Sequence, residues 1–301
     1  MFDILIIGGG PAGITAGIYA KRANKNVAII EKLVPGGQVA LIGEIENYPG
    51  FAKINGDELS LNMFQQAQGL GIEFIFDEAV KFDFSSKIKK VECKNGVYEA
   101  KSVILAMGSA AKEINVEGER RLFGKGVSYC AMCDGNFFKD RNVAVVGSGD
   151  SSVSNAIYLA GVCKTVHVFT KNELKLSAYT EEDLKLKNIK IHKGAMVSKI
   201  LGKDAVQGVE FVEEGKKKTC KVEAVFVAIG RTPDTAMLNG QIDLNQKGYI
   251  DVVDGVKTNI NGVYACGDVT TNPIKQIVIA ASSGAMAATE ALKYLAKNHL
   301  R

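Results

Sequence analysis

The chain has 301 residues, enough for two ordinary domains, and its 47% hydrophobic and 23% charged content is the balance of a soluble globular protein. A formal net charge of +4, spread without a long basic run, gives nucleic acid no footing, and no apolar stretch reaches the roughly 20 residues that span a bilayer. The opening "MFDILIIGGG" carries an acid at Asp3 and no basic start, so no secretory leader is expected and a cytoplasmic location is.

The first element is the apolar run Ile4–Ile7, suited to a strand buried on both faces. Gly8, Gly10 and Gly13 follow in the spacing G-x-G-x-x-G, with Pro11 and Ala12 between them. Residues 14–23 then read as a helix, and Val27–Ile30 as a second strand ending in Glu31. This is a β-α-β unit for a dinucleotide. The first glycine permits the tight turn, the second admits a pyrophosphate to the backbone, and the third lets helix and strand pack closely. The phosphates belong at the helix N-terminus, and Glu31 is placed to accept from ribose hydroxyls.

Further strands are expected at 102–108 and 224–235, each an apolar run closing in glycine. The pattern of residues 4–31 returns at 143–172: strand Val143–Val146, glycines Gly147 and Gly149, helix Val153–Leu159, strand Val166–Phe169. Asp150 and Ser151 follow the second glycine as further candidate contacts, and Ser152 replaces the third. The repeat's second strand ends in Thr170-Lys171-Asn172, without an acid. Residues 262–270 form another strand, broken by Gly267 and Asp268, where ligands bind in open α/β sheets. A long small-residue helix follows from about Lys275. The fold class is α/β: two Rossmann-like nucleotide-binding domains, the second inserted into the first. The expected spans are 1–112 and 242–301 for the first domain and 113–241 for the insert.

Between the two glycine motifs stands "SYCAMCDGNFF", with Cys130 and Cys133 two residues apart and Asp134 next. That spacing serves metal binding, a structural disulfide or electron exchange. A structural zinc wants four ligands, usually as two close pairs, and Cys93, Cys163, Cys220 and Cys266 make no second pair. The histidines are only His167, His192 and His299, so no metal is expected. A permanent disulfide is disfavoured in a reducing cytoplasm, which leaves redox chemistry in front. Asp134 reads as a general acid and base or as a turn residue, and Met132 and the four other cysteines as packing residues.

The order of these motifs resembles the small bacterial and archaeal thioredoxin reductases over nearly the whole chain. The matching pieces are residues 8–13, Gly36-Gly37-Gln38, Glu46-Asn47-Tyr48-Pro49-Gly50, Cys130-Ala131-Met132-Cys133-Asp134-Gly135, the second glycine motif, Gly267-Asp268 and Lys275-Gln276-Ile277. The resemblance implies FAD on the first unit and NADPH on the second. It places Gln38 and Asn47 near the flavin ring, with Gly37 as a further cofactor contact, Asp268 at the ribityl and phosphate part, and Gln276 and Ile277 over the flavin. It makes Cys130 and Cys133 a redox dithiol that reduces thioredoxin, in a homodimer.

One departure stands out. Members that use NADPH carry a His-Arg-Arg run and a further arginine where this chain has Thr170-Lys171-Asn172 and Ser177. Lysine cannot copy the arginine fork on a phosphate. NADPH stays the first expectation because Gly147 and Gly149 survive; NADH, ferredoxin or a reduced deazaflavin are the alternatives. Outside this reading stand a nucleotide-responsive redox sensor and the flavoprotein arm of a peroxide-reducing system. The latter carries an additional N-terminal redox domain, not expected here. A ferredoxin–nicotinamide oxidoreductase would have no use for the cysteine pair.

Overall fold

The apolar run at the start of the chain forms β1 (Phe2–Ile7) in the computed structural model, which describes residues 1–176, 179–186, 188–238 and 240–300. After it come α1 (Pro11–Arg22), β2 (Val27–Glu31), a two-stranded pair β3 (Glu44–Ile45) and β4 (Ile54–Asn55), and α2 (Gly56–Gly69). Then follow β5 (Glu73–Phe76), the hairpin β6 (Ala79–Asp83) and β7 (Lys89–Cys93), the long β8 (Val97–Leu105) and β9 (Ser109–Ala111). The next stretch holds β10 (Val127–Ser128), α3 (Ala131–Asp134), β11 (Asn142–Val146), α4 (Asp150–Ala160), β12 (Thr165–Thr170) and β13 (Ile189–Lys193). It continues through β14 (Met196–Leu201), β15 (Gly208–Glu213), β16 (Lys216–Cys220) and β17 (Ala224–Val227). The chain ends with β18 (Arg231–Pro233), β19 (Val263–Ala265) and α5 (Ile277–Lys297).

These elements divide into two compact units, one from Met1–Ala110 with Thr232 onward, the other from Ala111–Arg231. The first is built on a seven-stranded sheet in the order β5-β2-β1-β8-β7-β6, with β19 also pairing β8. β8 is shared along its length: its first half pairs β7 antiparallel, its second half pairs β19 parallel. Strand alternation sorts β1 between two cores. Ile4 and Ile6 pack with Ile14 of α1 and Ala287, Ala291 and Leu295 of α5. Leu5 and Ile7 pack on the opposite face with Leu105, Leu238, Ile250 and Val269. A strand buried on both faces needs the continuous apolar run that the sequence carries.

The second unit repeats the plan. Its five-stranded sheet, β10-β17-β11-β12-β13, is parallel throughout, and a three-stranded antiparallel sheet, β14-β15-β16, accompanies it. Val143 and Val145 join one core with Val153 and Leu159 of α4; Ala144 and Val146 join the other with Val197, Ile200 and Phe211.

Several boundaries differ from the sequence reading. The strand expected at 102–108 starts earlier and stops at Leu105. The run 224–235 divides into β17 and β18. The last helix starts at Ile277, behind an extended Gln276 that serves as its N-cap. The return into the first unit falls at 231/232, not at 241/242. The reason is packing: Leu238 and Ile242 are buried in the core of the first unit, and Gln241 donates to the Phe82 carbonyl at 2.9 Å.

Leu238→Ala should therefore lower the stability of the first unit by about 2–5 kcal/mol, the range for a large-to-small change in a core. Hydrogen exchange should accelerate in β1 and β8 and stay unchanged in β11 and β12. Acceleration confined to β11 and β12 would return residues 232–241 to the inserted unit.

Candidate active site

Register places the chemistry of the first unit in one row. Ile7 is level with Ile30 and with Leu105, and Leu105 with Ala265, so Gly8, Glu31, Ala106 and Cys266 all stand at the carboxyl edge of the parallel strands. There the glycine turn is forced by contact. A Cβ on Gly8 would lie 2.4 Å from the Ala106 carbonyl oxygen, and one on Gly13 would lie 1.9 Å from that of Gly8. Gly10 is different: a Cβ there would meet nothing within 4 Å. Behind it α1 begins with Pro11, and its first turn, which includes the buried Ala12, holds no acid. An open backbone at the start of a 12-residue helix suits an anion such as a pyrophosphate, so these residues fit FAD.

Glu31 is 8% exposed and takes the Gly9 N–H on Oε2 at 2.7 Å and the Leu33 N–H on Oε1 at 2.8 Å. It ties the glycine turn to β2, and any ribose contact would share lone pairs already in use. Gly36 N–H donates to the Gly9 carbonyl at 2.7 Å, which lays Gly37 against Gly10. The Gln38 amide donates to the Ser109 carbonyl. Asn47 donates to Gln276 at 3.2 Å, just before Ile277 opens α5. Asp268 follows β19; its carbonyl and that of Thr270 accept from Lys275 Nζ at 3.1 and 2.8 Å, and that ammonium stands 4.7 Å over the Tyr249 ring.

The second glycine turn copies the first in backbone terms. A Cβ on Gly147 would lie 2.4 Å from the Ala228 carbonyl, and Gly149 caps α4. Ser152 is buried where Gly13 has its counterpart, and its hydroxyl donates to the Gly149 carbonyl at 2.7 Å. Two features set this turn apart. Asp150 puts an acid in the first turn of α4, beside the exposed Ser151. The Lys175 N–H donates to the Ser148 carbonyl at 2.8 Å, so the loop after β12 is tied to the glycine turn. Lys171 and Asn172 are exposed. Thr170 is buried, and its hydroxyl has no hydrogen-bond partner among the described residues. Ser177 lies outside the described residues.

The cysteine pair sits just past the end of β10. β10 pairs with β17 and β17 with β11, so Ser128, Phe226 and Val145 are level. The pair and the second glycine turn therefore share one sheet edge, two strand spacings apart, about 10 Å. Cys130 and Cys133 form a disulfide with Cα atoms 5.3 Å apart. The turn is held from within: Asp134 N–H donates to the Cys130 carbonyl at 3.1 Å, and Cys133 N–H to Cys130 Sγ at 3.2 Å. Burial pushes the Asp134 carboxyl above the usual carboxylate range, and a hydrogen bond from the Ser128 hydroxyl opposes that. A carboxyl shifted upward beside a disulfide is suited to hand over a proton.

The sequence reading passed over the support behind this turn. Glu119 is fully buried and accepts from Ile114 N–H at 3.0 Å, Asn115 N–H at 2.7 Å and the Tyr129 hydroxyl at 3.1 Å. Tyr129 directly precedes Cys130, so the carboxylate anchors the approach to the pair. Met132, expected to pack inside, is 55% exposed, because a four-residue helix at a sheet edge has no core to face on that side.

Comparison with known proteins agrees with this geometry. The family model described as pyridine nucleotide-disulphide oxidoreductase matches residues 2–284. The chain belongs to the thioredoxin reductase branch of that family. A thioredoxin reductase from Peptoclostridium acidaminophilum is 37% identical, over 99% of this chain and 98% of its own. One from Bacillus subtilis (strain 168) is 36% identical, over 98% and 95%. The crystal structure of thioredoxin reductase from Streptococcus pyogenes MGAS5005 superposes with a TM-score of 0.93 at 36% identity, covering 99% of each chain. The chain is an enzyme of the flavoprotein disulfide oxidoreductase class, and its family implies FAD together with a pyridine nucleotide. No helix among the described residues is long and apolar enough to cross a membrane.

Thiol reactivity separates the redox pair from the other cysteines. Burial pushes Cys93 and Cys163 up to about 11 and Cys266 to about 12, and raises Cys220 as well. Iodoacetamide at pH 7.5 should then leave these four nearly untouched in the folded protein, while reduction makes Cys130 and Cys133 react at least roughly tenfold faster. Peptide mass spectrometry reads the sites; equally fast labelling of Cys93, Cys163 or Cys266 would contradict the assignment.

Proposed function

We propose that this protein is a thioredoxin-disulfide reductase. Electrons pass from a reduced donor through FAD to the Cys130–Cys133 disulfide and on to thioredoxin or a thioredoxin-like protein. The observation that carries the reading is the disulfide itself, set at the edge of a nucleotide-type parallel sheet with an up-shifted carboxyl next to it. Residues Gly8–Gly13, Glu31, Gly37, Gln38, Asn47, Asp268, Gln276 and Ile277 would hold FAD. When bound, FAD supplies a two-electron carrier. Two electrons break the Cys130–Cys133 bond, and Asp134 gives a proton to one of the two sulfurs. The remaining thiolate attacks the partner's disulfide, forming a mixed disulfide and releasing one partner sulfur. The second cysteine, deprotonated by Asp134, attacks the mixed disulfide, which restores Cys130–Cys133 and frees the partner dithiol.

The location we propose is cytoplasmic, where buried free thiols persist, and the assembly a homodimer. The exposed Tyr19 and Met286, which line one groove along α1 and α5, support self-association. We also propose the inserted unit as the mobile, redox-active one, ending at Arg231 rather than at 241 because Leu238 packs in the first unit.

Cys130→Ser and Cys133→Ser should each abolish thioredoxin reduction with flavin still bound, because neither thiol completes exchange alone. Asp134→Asn should slow it roughly 10²–10⁴-fold, the worth of general acid–base help. Retained turnover in either cysteine variant removes the dithiol from the mechanism.

For the donor we propose a nicotinamide dinucleotide held at Gly147, Gly149, Asp150 and Ser151, with NADPH first and little preference over NADH. Two missing charge-assisted contacts to a 2′-phosphate cost about 1.5–3 kcal/mol each, or roughly 10²–10⁴-fold in affinity. The Lys175–Ser148 backbone tie and the acid at Asp150 favour a second reading, reduction by ferredoxin or a reduced deazaflavin. Anaerobic titration of the flavin decides. The first reading expects weak bleaching by both nicotinamides; bleaching only by ferredoxin or deazaflavin supports the second. A micromolar requirement for NADPH with strong bias against NADH would contradict the missing-clamp argument.

A further inference from the structure

Lys275 stands just before the last helix and reaches back along the chain. Its Nζ donates to the Asp268 carbonyl at 3.1 Å and to the Thr270 carbonyl at 2.8 Å, and it lies 4.7 Å over the Tyr249 ring. Both carbonyls belong to the turn Gly267–Thr270, which follows β19 at the carboxyl edge of the first sheet. The other two carbonyls of that turn are served by its neighbours. Gly267 accepts the Thr270 N–H at 3.2 Å and the Thr270 hydroxyl at 2.9 Å, and Val269 accepts the Ile250 N–H at 3.0 Å. One ammonium serves the remaining pair.

Lysine suits this place because its ammonium carries three donors around a compact charge on a flexible stem. Hydrogen bonds from a charged donor are the stronger kind. The bonds close residues 268–275 into a ring. The turn itself lies against the first nucleotide motif. Gly267 has φ +74°, and a Cβ there would lie 2.9 Å from the Ala12 Cβ. Its N–H donates to Ser283 Oγ of α5 at 2.9 Å. Tyr249 is stitched to the same turn: Ile250 pairs with Thr270, and its carbonyl accepts the Thr271 N–H at 3.0 Å. The ring and the carbonyls thus come from one stitched segment, and the ammonium comes from the start of α5.

Resting on the reading of Asp268 and Gln276 as FAD contacts, we infer that Lys275 is a positioning residue for FAD. Its ammonium locks the Gly267–Thr270 turn to the start of α5, and so fixes Asp268 and Gln276 with respect to each other. The Tyr249 ring holds the ammonium in place. Lys275 holds backbone and moves neither an electron nor a proton.

The test uses the holoprotein. Lys275→Met keeps an apolar stem and removes the charge and its donors. Its FAD dissociation constant, read from the fluorescence of flavin released on dilution, should rise at least about tenfold, the worth of one charge-assisted hydrogen bond. Amide exchange should accelerate at 267–271 and at Ile250. Lys275→Arg keeps charge, donors and ring contact and should hold FAD within about threefold of wild type. Tyr249→Leu should loosen FAD roughly two- to fivefold, the worth of a cation–π contact. On top of Lys275→Met it should add less than about twofold, since the ring acts through the missing ammonium. With FAD saturating, Lys275→Met should turn over within about twofold of wild type. Unchanged exchange and FAD retention in Lys275→Met overturn the inference. So does an equal loss from Tyr249→Leu in both backgrounds, or turnover that stays low at saturating FAD. Should Lys275→Met fail to fold, Tyr249→Leu decides, and FAD retention equal to wild type overturns the inference. Faster exchange at 267–271 with FAD held as in wild type leaves the lock standing and overturns the reading of Asp268 as a FAD contact.

Discussion

A parallel sheet puts all its chain exits on one edge, and the chemistry of this protein depends on that constraint. Strands running the same way end together, so the turns that follow them are neighbours in space although far apart in sequence. In the first unit this aligns Gly8, Glu31, Ala106 and Cys266, drawn from four strands. In the second it sets the cysteine pair and Gly147 on one edge, with β17 between their strands. Backbone contact then selects the residues: where a turn passes a carbonyl at 2.4 Å from a would-be Cβ, only glycine serves.

At the redox turn the constraint is polar. A disulfide at the edge of a sheet must stay reachable, yet the carboxyl beside it works best partly withdrawn from water. The turn meets both demands by spending its own backbone on itself. The amides of Cys130, Cys133 and Asp134 all find acceptors within residues 128–134. Glu119, Tyr129 and Ser128 fix the approach from behind, while Met132 and Phe137 remain exposed in front. Cys93, Cys163 and Cys266 lie in cores that disfavour thiolate, and partial burial raises Cys220 as well, so the readily nucleophilic sulfur is the redox pair.

Much of this was legible in the residues. Two β-α-β units announce themselves through glycine spacing and apolar strands, because close backbone contact leaves few alternatives at Gly8, Gly13 and Gly147. The residues picked for the first turn, Gly8 to Gly13 with Glu31 and Gly37, do come together, as do Asn47 with Gln276. Other features were hidden for physical reasons. The sheet β14-β15-β16 is partly exposed and rich in lysine, so its alternation is faint. The return at 231/232 was invisible because Leu238 looks the same from either side of a boundary; only its packing decides. Met132 misled because an apolar residue signals a core unless its helix is too short to have one. Glu119 gave no signal beyond its type, since a buried anchor is defined by a partner 10 residues away.

The central claim is that one chain stores electrons in two places, a flavin and the Cys130–Cys133 disulfide, which exchange with each other. Anaerobic reductive titration with dithionite, followed through the flavin spectrum, counts them directly. The account predicts uptake of roughly four electrons per chain in the wild type and roughly two in Cys130→Ser, each couple taking two. Uptake of roughly two in both proteins would mean that the disulfide never receives electrons from the flavin, and would contradict the account.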